Sequence, residues 1–162
     1  MLQHVLESAL RQTMNRLVRP VLNPAVPVPL QRRIVRQAYR SSTPPRGVKF
    51  ENITIGGVPA TRTTFGNDPR GAVLYLHGGG YIIGSSSTHR GITGHLAKTT
   101  GCTIVTPDYR LAPEFPFPAA LDDAEACWNG LLEAGLKPDQ IAVAGDSAGG
   151  GLSVALAMRL RD

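Results

Sequence analysis

The stretch Ile141-Ala142-Val143-Ala144-Gly145-Asp146-Ser147-Ala148-Gly149 joins a short apolar run to a Gly-x-Ser-x-Gly turn, and a helix-like stretch from Gly150 to Leu160 follows it. A strand, a sharp turn and a helix with serine at the apex expose the serine hydroxyl as a nucleophile. Two glycines around a serine also occur in ordinary turns. The pattern therefore needs a second motif before it predicts that Ser147 is catalytic.

The sequence His77-Gly78-Gly79-Gly80 supplies that second motif, and it again follows an apolar run, residues 72–76. Glycine loops of this HGGG type occur in lipases and esterases. Glycine lets the backbone approach a substrate closely and aim N–H groups at a developing negative oxygen. The two motifs together predict one acyl-transfer site.

A third run, Asp108-Tyr109-Arg110-Leu111-Ala112-Pro113-Glu114, lies between them and is followed by Phe117-Pro118-Ala119-Ala120-Leu121-Asp122-Asp123. With the glycine loop and the serine turn, these residues resemble the hormone-sensitive-lipase family of α/β-hydrolase esterases, from about Phe50 to the end of the chain. The resemblance implies an α/β-hydrolase fold: a mostly parallel sheet with flanking helices and an N-terminal helical cap. It also implies a carboxylesterase that hydrolyses short- to medium-chain acyl esters.

The same resemblance implies an oxyanion hole. Its donors are the backbone N–H groups of Gly79, Gly80 and Ala148. The donor at Ala148 also follows from the elbow geometry, because the residue after the nucleophile supplies one N–H group.

The residues beside these donors have different expected roles. His77 and Gly78 complete the glycine-loop motif, and we expect the His77 ring to hold the shape of the loop. Tyr81, directly after the glycines, either contacts the substrate or packs against the protein. For Asp146 we expect a structural hydrogen bond, because neighbours at an elbow point in different directions.

The chain offers no residues for the rest of a catalytic triad. In α/β-hydrolases the acid and the histidine follow the serine in chain order, yet no histidine and only one acid, Asp162, follow Ser147. A helix would place Asp162 about 20 Å from the serine, at about 1.5 Å per residue. All four histidines precede the serine: His4, His77, His89 and His95. We therefore expect the C-terminal strands and helices of the fold to be absent and the chain to be inactive alone.

Three functions stay open: a serine carboxylesterase completed by other residues, a non-catalytic small-molecule-binding relative, and an assembly fragment. The expected partners are an acyl ester and either a complementary C-terminal segment or a second copy of the chain. No cofactor and no metal are predicted. The two cysteines, Cys102 and Cys127, have no metal-ligand spacing, and we expect two reduced, mostly buried thiols.

The chain divides into residues 1–45, two cap helices with a linker, and residues 46–162, the N-terminal part of the catalytic domain. The first predicted helix is amphipathic and runs from Leu2 to Val18. The second runs roughly from Leu30 to Tyr39, because the prolines before it favour an extended segment. The resemblance implies that these helices cap the active site and shape the acyl pocket. The alternative is a helical pair that merely covers the sheet.

The remaining residues predict a sheet with flanking helices. The predicted strands are 48–55, 58–65, 71–76, 103–106 and 141–144, and the predicted helices are 89–99, 119–133 and 148–160. Gly56-Gly57 indicates a hairpin between the first two strands. The other three strands are apolar enough to be buried on both faces. Without strands beyond it, residues 141–144 would form an open edge that invites pairing with another chain.

The formal net charge of +5 is concentrated in residues 1–50, which hold nine Lys or Arg against the single acid Glu7. No interleaved aromatic residues accompany these arginines, so we expect no nucleic acid partner. No apolar stretch reaches the length of a membrane span, and the first residues do not resemble a signal peptide. We therefore expect no membrane partner and a cytoplasmic location. A further charged set is expected to form an ion-paired loop: Arg110, Glu114, Asp122 and Asp123.

Overall fold

The computed structural model describes residues 7–8, 11–12, 15–16, 19–39 and 43–161. The strands are β1 Val48–Ile55, β2 Val58–Phe65, β3 Ala72–Leu76, β4 Thr103–Pro107 and β5 Ile141–Gly145. The longer helices are α1 Val28–Ala38, α2 Arg90–Thr100, α3 Ala119–Glu133 and α4 Ala148–Arg161. Short helical segments span Arg19–Val21, Ser86–His89 and Pro138–Gln140. None of the described helices is long and apolar enough to cross a lipid bilayer.

The five strands form one sheet in the order β1-β2-β4-β3-β5. Strands β3, β4 and β5 are parallel, whereas β2 pairs antiparallel with both β1 and β4. The predicted hairpin between β1 and β2 is confirmed. Gly56 and Gly57 both have positive φ, 55° and 78°, which suits the tight turns that join twisted antiparallel strands.

Helices cover both faces of the sheet. Every residue of β3 is buried, and its side chains alternate between two apolar clusters. Leu74 and Leu76 belong to the larger cluster, which the buried faces of α3 and α4 complete. Val73 and Tyr75 belong to the smaller one, together with Ala97 of α2. This arrangement confirms the predicted α/β class and places the carboxyl ends of β3 and β5 side by side.

The prediction for residues 141–144 is partly wrong. A strand forms there, but only Ile141 is buried, and Ala142 is exposed. Residues 142–144 are less buried than predicted because β5 lies at the edge of the sheet and pairs with β3 alone in the described part of the chain. The predicted burial on both faces holds for β3 and for most of β4.

The N-terminal segment also departs from its predicted bounds. Helix α1 begins at Val28 rather than Leu30, with Pro29 in its first turn. Proline is tolerated there because the first N–H groups of a helix have no partner within the helix. Most of the predicted helix from Leu2 to Val18 lies outside the described residues, as do His4 and Asp162.

Charged side chains in the loop before α3 and in α3 itself are paired, as predicted. Arg110 binds Asp123 at 2.7 Å, and Arg159 of α4 binds Asp122 at 2.7 Å. Both cysteines are free thiols. Cys127 is buried, and burial raises the pKa of its thiol to about 12, whereas Cys102 is only half-buried.

Candidate active site

Ser147 lies at the sharp turn between β5 and α4. Its φ is +50°, in the left-handed region that costs a residue with a side chain about 1–3 kcal/mol. The turn is closed by two backbone hydrogen bonds: Gly149 N–H donates to the Asp146 carbonyl at 2.8 Å, and Gly150 N–H donates to the Ser147 carbonyl at 3.0 Å. The residue is exposed. The geometry is that of a nucleophile elbow, with the serine at its apex.

The glycines on either side of the elbow are required by space. A Cβ atom on Gly149 would overlap the carbonyl oxygen of Leu76, at the end of β3. A Cβ atom on Gly145 would overlap the carbonyl oxygen of Gly149 and lie 2.5 Å from that of Leu76. The elbow can therefore pack directly against the end of β3, which is where the glycine loop begins.

The glycine loop is a tight turn of backbone with unusual dihedral angles. Gly79, Gly80 and Tyr81 have φ values of 126°, 62° and 62°. The N–H groups of Ile82 and Ile83 both donate to the Gly79 carbonyl, at 3.1 and 3.0 Å. A Cβ atom on Gly79 would overlap the Ile83 carbonyl oxygen, so this position has no room for a side chain.

Asp146 connects the elbow to the glycine loop. Its Oδ1 accepts hydrogen bonds from the Gly78 N–H and from the Tyr75 hydroxyl, both at 2.9 Å. The same oxygen lies 3.3 Å from His89 Nε2. Burial, together with the adjacent Asp146 carboxylate, raises the pKa of Tyr75, which therefore stays a neutral donor. The structural hydrogen bond predicted for Asp146 is confirmed.

His77 is bound within the loop that it begins. Its Nδ1 lies 2.8 Å from the Gly78 carbonyl oxygen, and its ring stacks on Tyr109 with ring centroids 4.2 Å apart. The Tyr109 hydroxyl donates to the His77 carbonyl. Burial lowers the pKa of His77 to about 4, so the ring is neutral at physiological pH and its Nδ1–H can donate to Gly78. These contacts agree with the expected role of the ring in shaping the loop.

A cavity of about 620 Å³ opens in front of Ser147. The glycine loop forms one side, through Gly78 and Gly79, and the N-terminal segment forms another. Its lining from that segment is apolar or aromatic: Val21, Leu22, Ile34, Val35, Ala38 and Tyr39. Helix α1 therefore contributes a wall to the cavity that holds the serine.

Tyr81 lies on a different cavity. This second cavity has a volume of about 420 Å³ and is lined by Tyr81, Phe115, Phe117 and Leu152, among others, but not by Ser147. A Cβ atom on Gly151 of α4 would lie 3.2 Å from the Tyr81 hydroxyl. The Tyr81 side chain thus packs toward α4, and 37% of the residue remains exposed.

None of the described histidines forms a hydrogen bond with Ser147. His77 is held within the loop, and His95 is exposed on α2. His89 lines the serine cavity, but its Nε2 faces Asp146 and its Nδ1 lies 3.1 Å from the Ser85 carbonyl oxygen. No described residue forms a hydrogen bond with the Ser147 hydroxyl.

Several residues of the site were not found from the sequence. Tyr75 and His89 carried no motif, and Tyr109 was noted only as part of the run that begins at Asp108. Their contacts depend on which strand ends lie side by side, which no local pattern encodes. Arg32 is one of the nine basic residues among residues 1–50, and no motif marks it, yet it binds Glu114 and the backbone carbonyls of Ile82 and Ala112.

Comparison with known proteins places this geometry in a family. The family described as the alpha/beta hydrolase fold matches residues 73–162. A solved hormone-sensitive lipase from a metagenome library superimposes with a TM-score of 0.89 at 36% identity, over 98% of this chain and 52% of that one. The chain belongs to the hormone-sensitive-lipase family of α/β-hydrolases. Both the recognition from the sequence and the predicted fold class are confirmed.

Two curated relatives of this hormone-sensitive-lipase-family chain are named for their esterase activity. An acetyl-hydrolase of Streptomyces hygroscopicus is 42% identical over 110 residues, 68% of this chain and 37% of the relative. An ethyl acetate hydrolase of Pseudomonas putida is 44% identical over 93 residues, 55% of this chain and 29% of the relative. The chain thus spans less than two fifths of the length of these two relatives.

Proposed function

We propose that this chain supplies the nucleophile and the oxyanion hole of a serine carboxylesterase. The observation that carries the proposal is the contact between the two motifs: Asp146, next to Ser147, holds the Gly78 N–H at 2.9 Å, and both motifs face one cavity. A nucleophile and a glycine loop that meet at one cavity are parts that acyl transfer requires.

The reaction proceeds in two steps. Ser147 Oγ attacks the ester carbonyl carbon while a histidine accepts the hydroxyl proton. The tetrahedral intermediate then collapses, and the alcohol leaves with that proton. In the second step a water molecule attacks the acyl-enzyme while the histidine accepts its proton. Ser147 then leaves with that proton, and the acid is released. The N–H groups of Gly79, Gly80 and Ala148 stabilise the oxyanion in both steps, and losing one such donor typically costs about 3 kcal/mol.

The histidine and its carboxylate partner come from outside the described residues, in a complementary C-terminal segment. A serine hydroxyl is a weak nucleophile without a base, and no described residue binds the Ser147 hydroxyl. We therefore expect negligible turnover from residues 1–162 alone. Strand β5 is consistent with a complementary segment, because within the described part of the chain it pairs on one side only.

The cavity in front of Ser147 suits a short- to medium-chain acyl group. Its volume of about 620 Å³ and its apolar lining from α1 provide a desolvated surface for an alkyl chain. In this proposal, helix α1 of the predicted cap forms one wall of the acyl pocket. An ethyl acetate hydrolase among the relatives is in keeping with small esters.

Labelling with a serine-reactive fluorophosphonate tests the proposal. The chain is labelled and assayed with p-nitrophenyl acetate, first alone and then mixed with the C-terminal part of the Streptomyces acetyl-hydrolase. We expect labelling and hydrolysis only in the mixture, and loss of both in Ser147→Ala. The matched control is Ser153→Ala, whose hydroxyl donates to the Gly149 carbonyl on the same helix. Labelling or hydrolysis that survives Ser147→Ala would refute Ser147 as the nucleophile, and hydrolysis by the chain alone would refute a histidine supplied from elsewhere.

A second function is a non-catalytic small-molecule-binding protein of the same fold. The observation that favours it is that no described residue hydrogen-bonds the Ser147 hydroxyl, which lies beside a large apolar cavity. Binding of an apolar ester without labelling or turnover, in the mixture as well as in the chain alone, would support this alternative.

A further inference from the structure

Arg32, on helix α1, binds the loops beside the glycine motif. Its Nε donates to the Ile82 carbonyl at 2.8 Å, and its Nη2 donates to the Ala112 carbonyl at 2.9 Å. Nη1 and Nη2 also bind the two carboxylate oxygens of Glu114, at 2.9 and 2.7 Å. A planar guanidinium can hold a carboxylate bidentately and still donate to two carbonyls, which an ammonium cannot do.

Of the two carbonyls that Arg32 binds, that of Ile82 lies at the exit of the glycine loop, and that of Ala112 lies in the loop after β4. Ile82 N–H donates to the Gly79 carbonyl at 3.1 Å, and Ala112 N–H donates to the Tyr81 carbonyl at 2.8 Å. Each carbonyl that Arg32 binds is therefore one hydrogen bond away from the loop. Arg32 is only partly exposed, with 25% of its side chain accessible, and its bond to the Ala112 carbonyl is partly buried, whereas its bond to Ile82 is exposed.

The loop conformation requires such support. Gly79, Gly80 and Tyr81 all have positive φ, and Tyr81 carries a side chain that rarely tolerates it. Backbone in sparsely populated regions persists only where surrounding contacts hold it in place. The N–H groups of Gly79 and Gly80 depend on that backbone, and functional groups at a site must be held within about 0.5 Å of their productive positions.

We propose that Arg32 is a positioning residue of the oxyanion hole. It holds the exit of the glycine loop so that the Gly79 and Gly80 N–H groups aim at the oxyanion, and it couples the N-terminal segment to catalysis. This inference rests on the proposed esterase function. The competing explanation is that Arg32 only fastens α1 to the body as a wall of the cavity.

Five variants separate these explanations. Arg32→Gln removes the charge, and Arg32→Lys keeps the charge but loses the planar fork. Glu114→Gln weakens the same contact from the loop side, without altering α1. Arg33→Gln is the control on the same helix, because Arg33 is exposed and is not among the residues that bind Ile82, Ala112 or Glu114. Arg159→Gln is the control for a lost ion pair elsewhere, since Arg159 binds Asp122 and Glu125.

Amide hydrogen exchange, followed by NMR on the chain itself, tests the contact with the loop. The Ile82 and Ile83 amides, which donate to Gly79, should exchange at least about tenfold faster in Arg32→Gln, and by a smaller factor in Arg32→Lys and Glu114→Gln. Both controls should stay within about twofold of the wild type. Unchanged exchange of these two amides in Arg32→Gln would overturn the proposal.

Kinetics in the mixture with the C-terminal part test the catalytic consequence. With p-nitrophenyl acetate, whose acyl group is too short to need the α1 wall, Arg32→Gln should lower kcat about tenfold and leave KM within about twofold. A raised KM with unchanged kcat would overturn the proposal and would mean that Arg32 only fastens α1 as a wall of the cavity. If the wild type itself gives neither labelling nor turnover, the proposed esterase function fails and the catalytic role fails with it. The exchange data still decide the loop contact independently.

Discussion

At positions 149 and 150 two adjacent glycines meet different surroundings. A Cβ atom on Gly149 would overlap the Leu76 carbonyl oxygen, whereas one on Gly150 would lie 3.5 Å from the Gly145 oxygen, an ordinary contact. We therefore expect Gly149→Ala to lower the free energy of unfolding by about 3 kcal/mol or more, because backbone must shift to make room.

Gly150→Ala is the matched control for this substitution. It should raise the free energy of unfolding by about 0.5–1 kcal/mol. Position 150 is helical in the folded chain, and alanine has less conformational entropy to lose on folding than glycine. Urea denaturation of the two variants measures both values. Equal effects of the two substitutions would show that the elbow does not pack against β3 as closely as described.

His77 makes stability depend on pH. Its pKa falls from the ordinary 6.5 to about 4 on folding, because burial disfavours the charged ring. Between these values the unfolded chain binds the proton and the folded chain does not, so acid favours unfolding. The resulting contribution of His77 to the free energy of unfolding, about 3 kcal/mol, is fully present above pH 6.5 and is lost as the pH falls through 4.

Urea denaturation between pH 7 and pH 4 measures this dependence on His77. His95→Gln, at an exposed position of α2, should leave the pH profile unchanged. His77→Gln should flatten it while lowering stability at pH 7, because the contact with Gly78 is lost. An unaltered profile in His77→Gln would assign the acid sensitivity to other groups.

Among the described residues, strand β5 forms one edge of the sheet. It is apolar, it pairs with β3 only in the described part of the chain, and Ala142 is exposed. The opposite edge, β1, instead carries charged residues, among them Lys49 and Glu51. Edge strands without charge invite pairing with another chain. We expect the chain alone to self-associate, and Ala142→Lys to reduce that association.

Sedimentation at several protein concentrations tests the β5 edge. The control is Ala157→Lys, which adds the same charge at an exposed position of α4, outside the sheet. If both substitutions reduce association equally, net charge is the cause and not the edge. A monodisperse, cooperatively melting monomer of the unmodified chain would contradict the prediction outright.

On the scale of the whole molecule, a partner that binds only the folded chain must stabilise it. At a free partner concentration of 100 times Kd, the free energy of unfolding rises by about 2.7 kcal/mol. We expect the melting temperature to increase with the concentration of the added C-terminal part, and a maltose-binding protein of equal concentration to have no effect. A melting temperature independent of the partner would mean that the two parts do not associate.

Local patterns predicted most of the elements. The bounds of β1 and β2 follow from two β-like runs around Gly56-Gly57, because a two-residue turn fixes where both strands must end. The bounds of α3 were likewise predicted to the residue. The start of α1 was not, because Pro29 favours an extended chain in isolation but is tolerated in the first turn of a helix.

The sequence by itself determined that a serine elbow and a glycine loop are present, since each is a local arrangement that a few consecutive residues specify. Only the tertiary structure decided what lies between them. Asp146 joins the two motifs, Tyr75 and His89 surround it, and Arg32 reaches the loop from a helix fifty residues earlier in the chain. These contacts join residues that are distant in sequence, and they exist because parallel pairing of β3 with β5 brings both motifs to one end of the sheet.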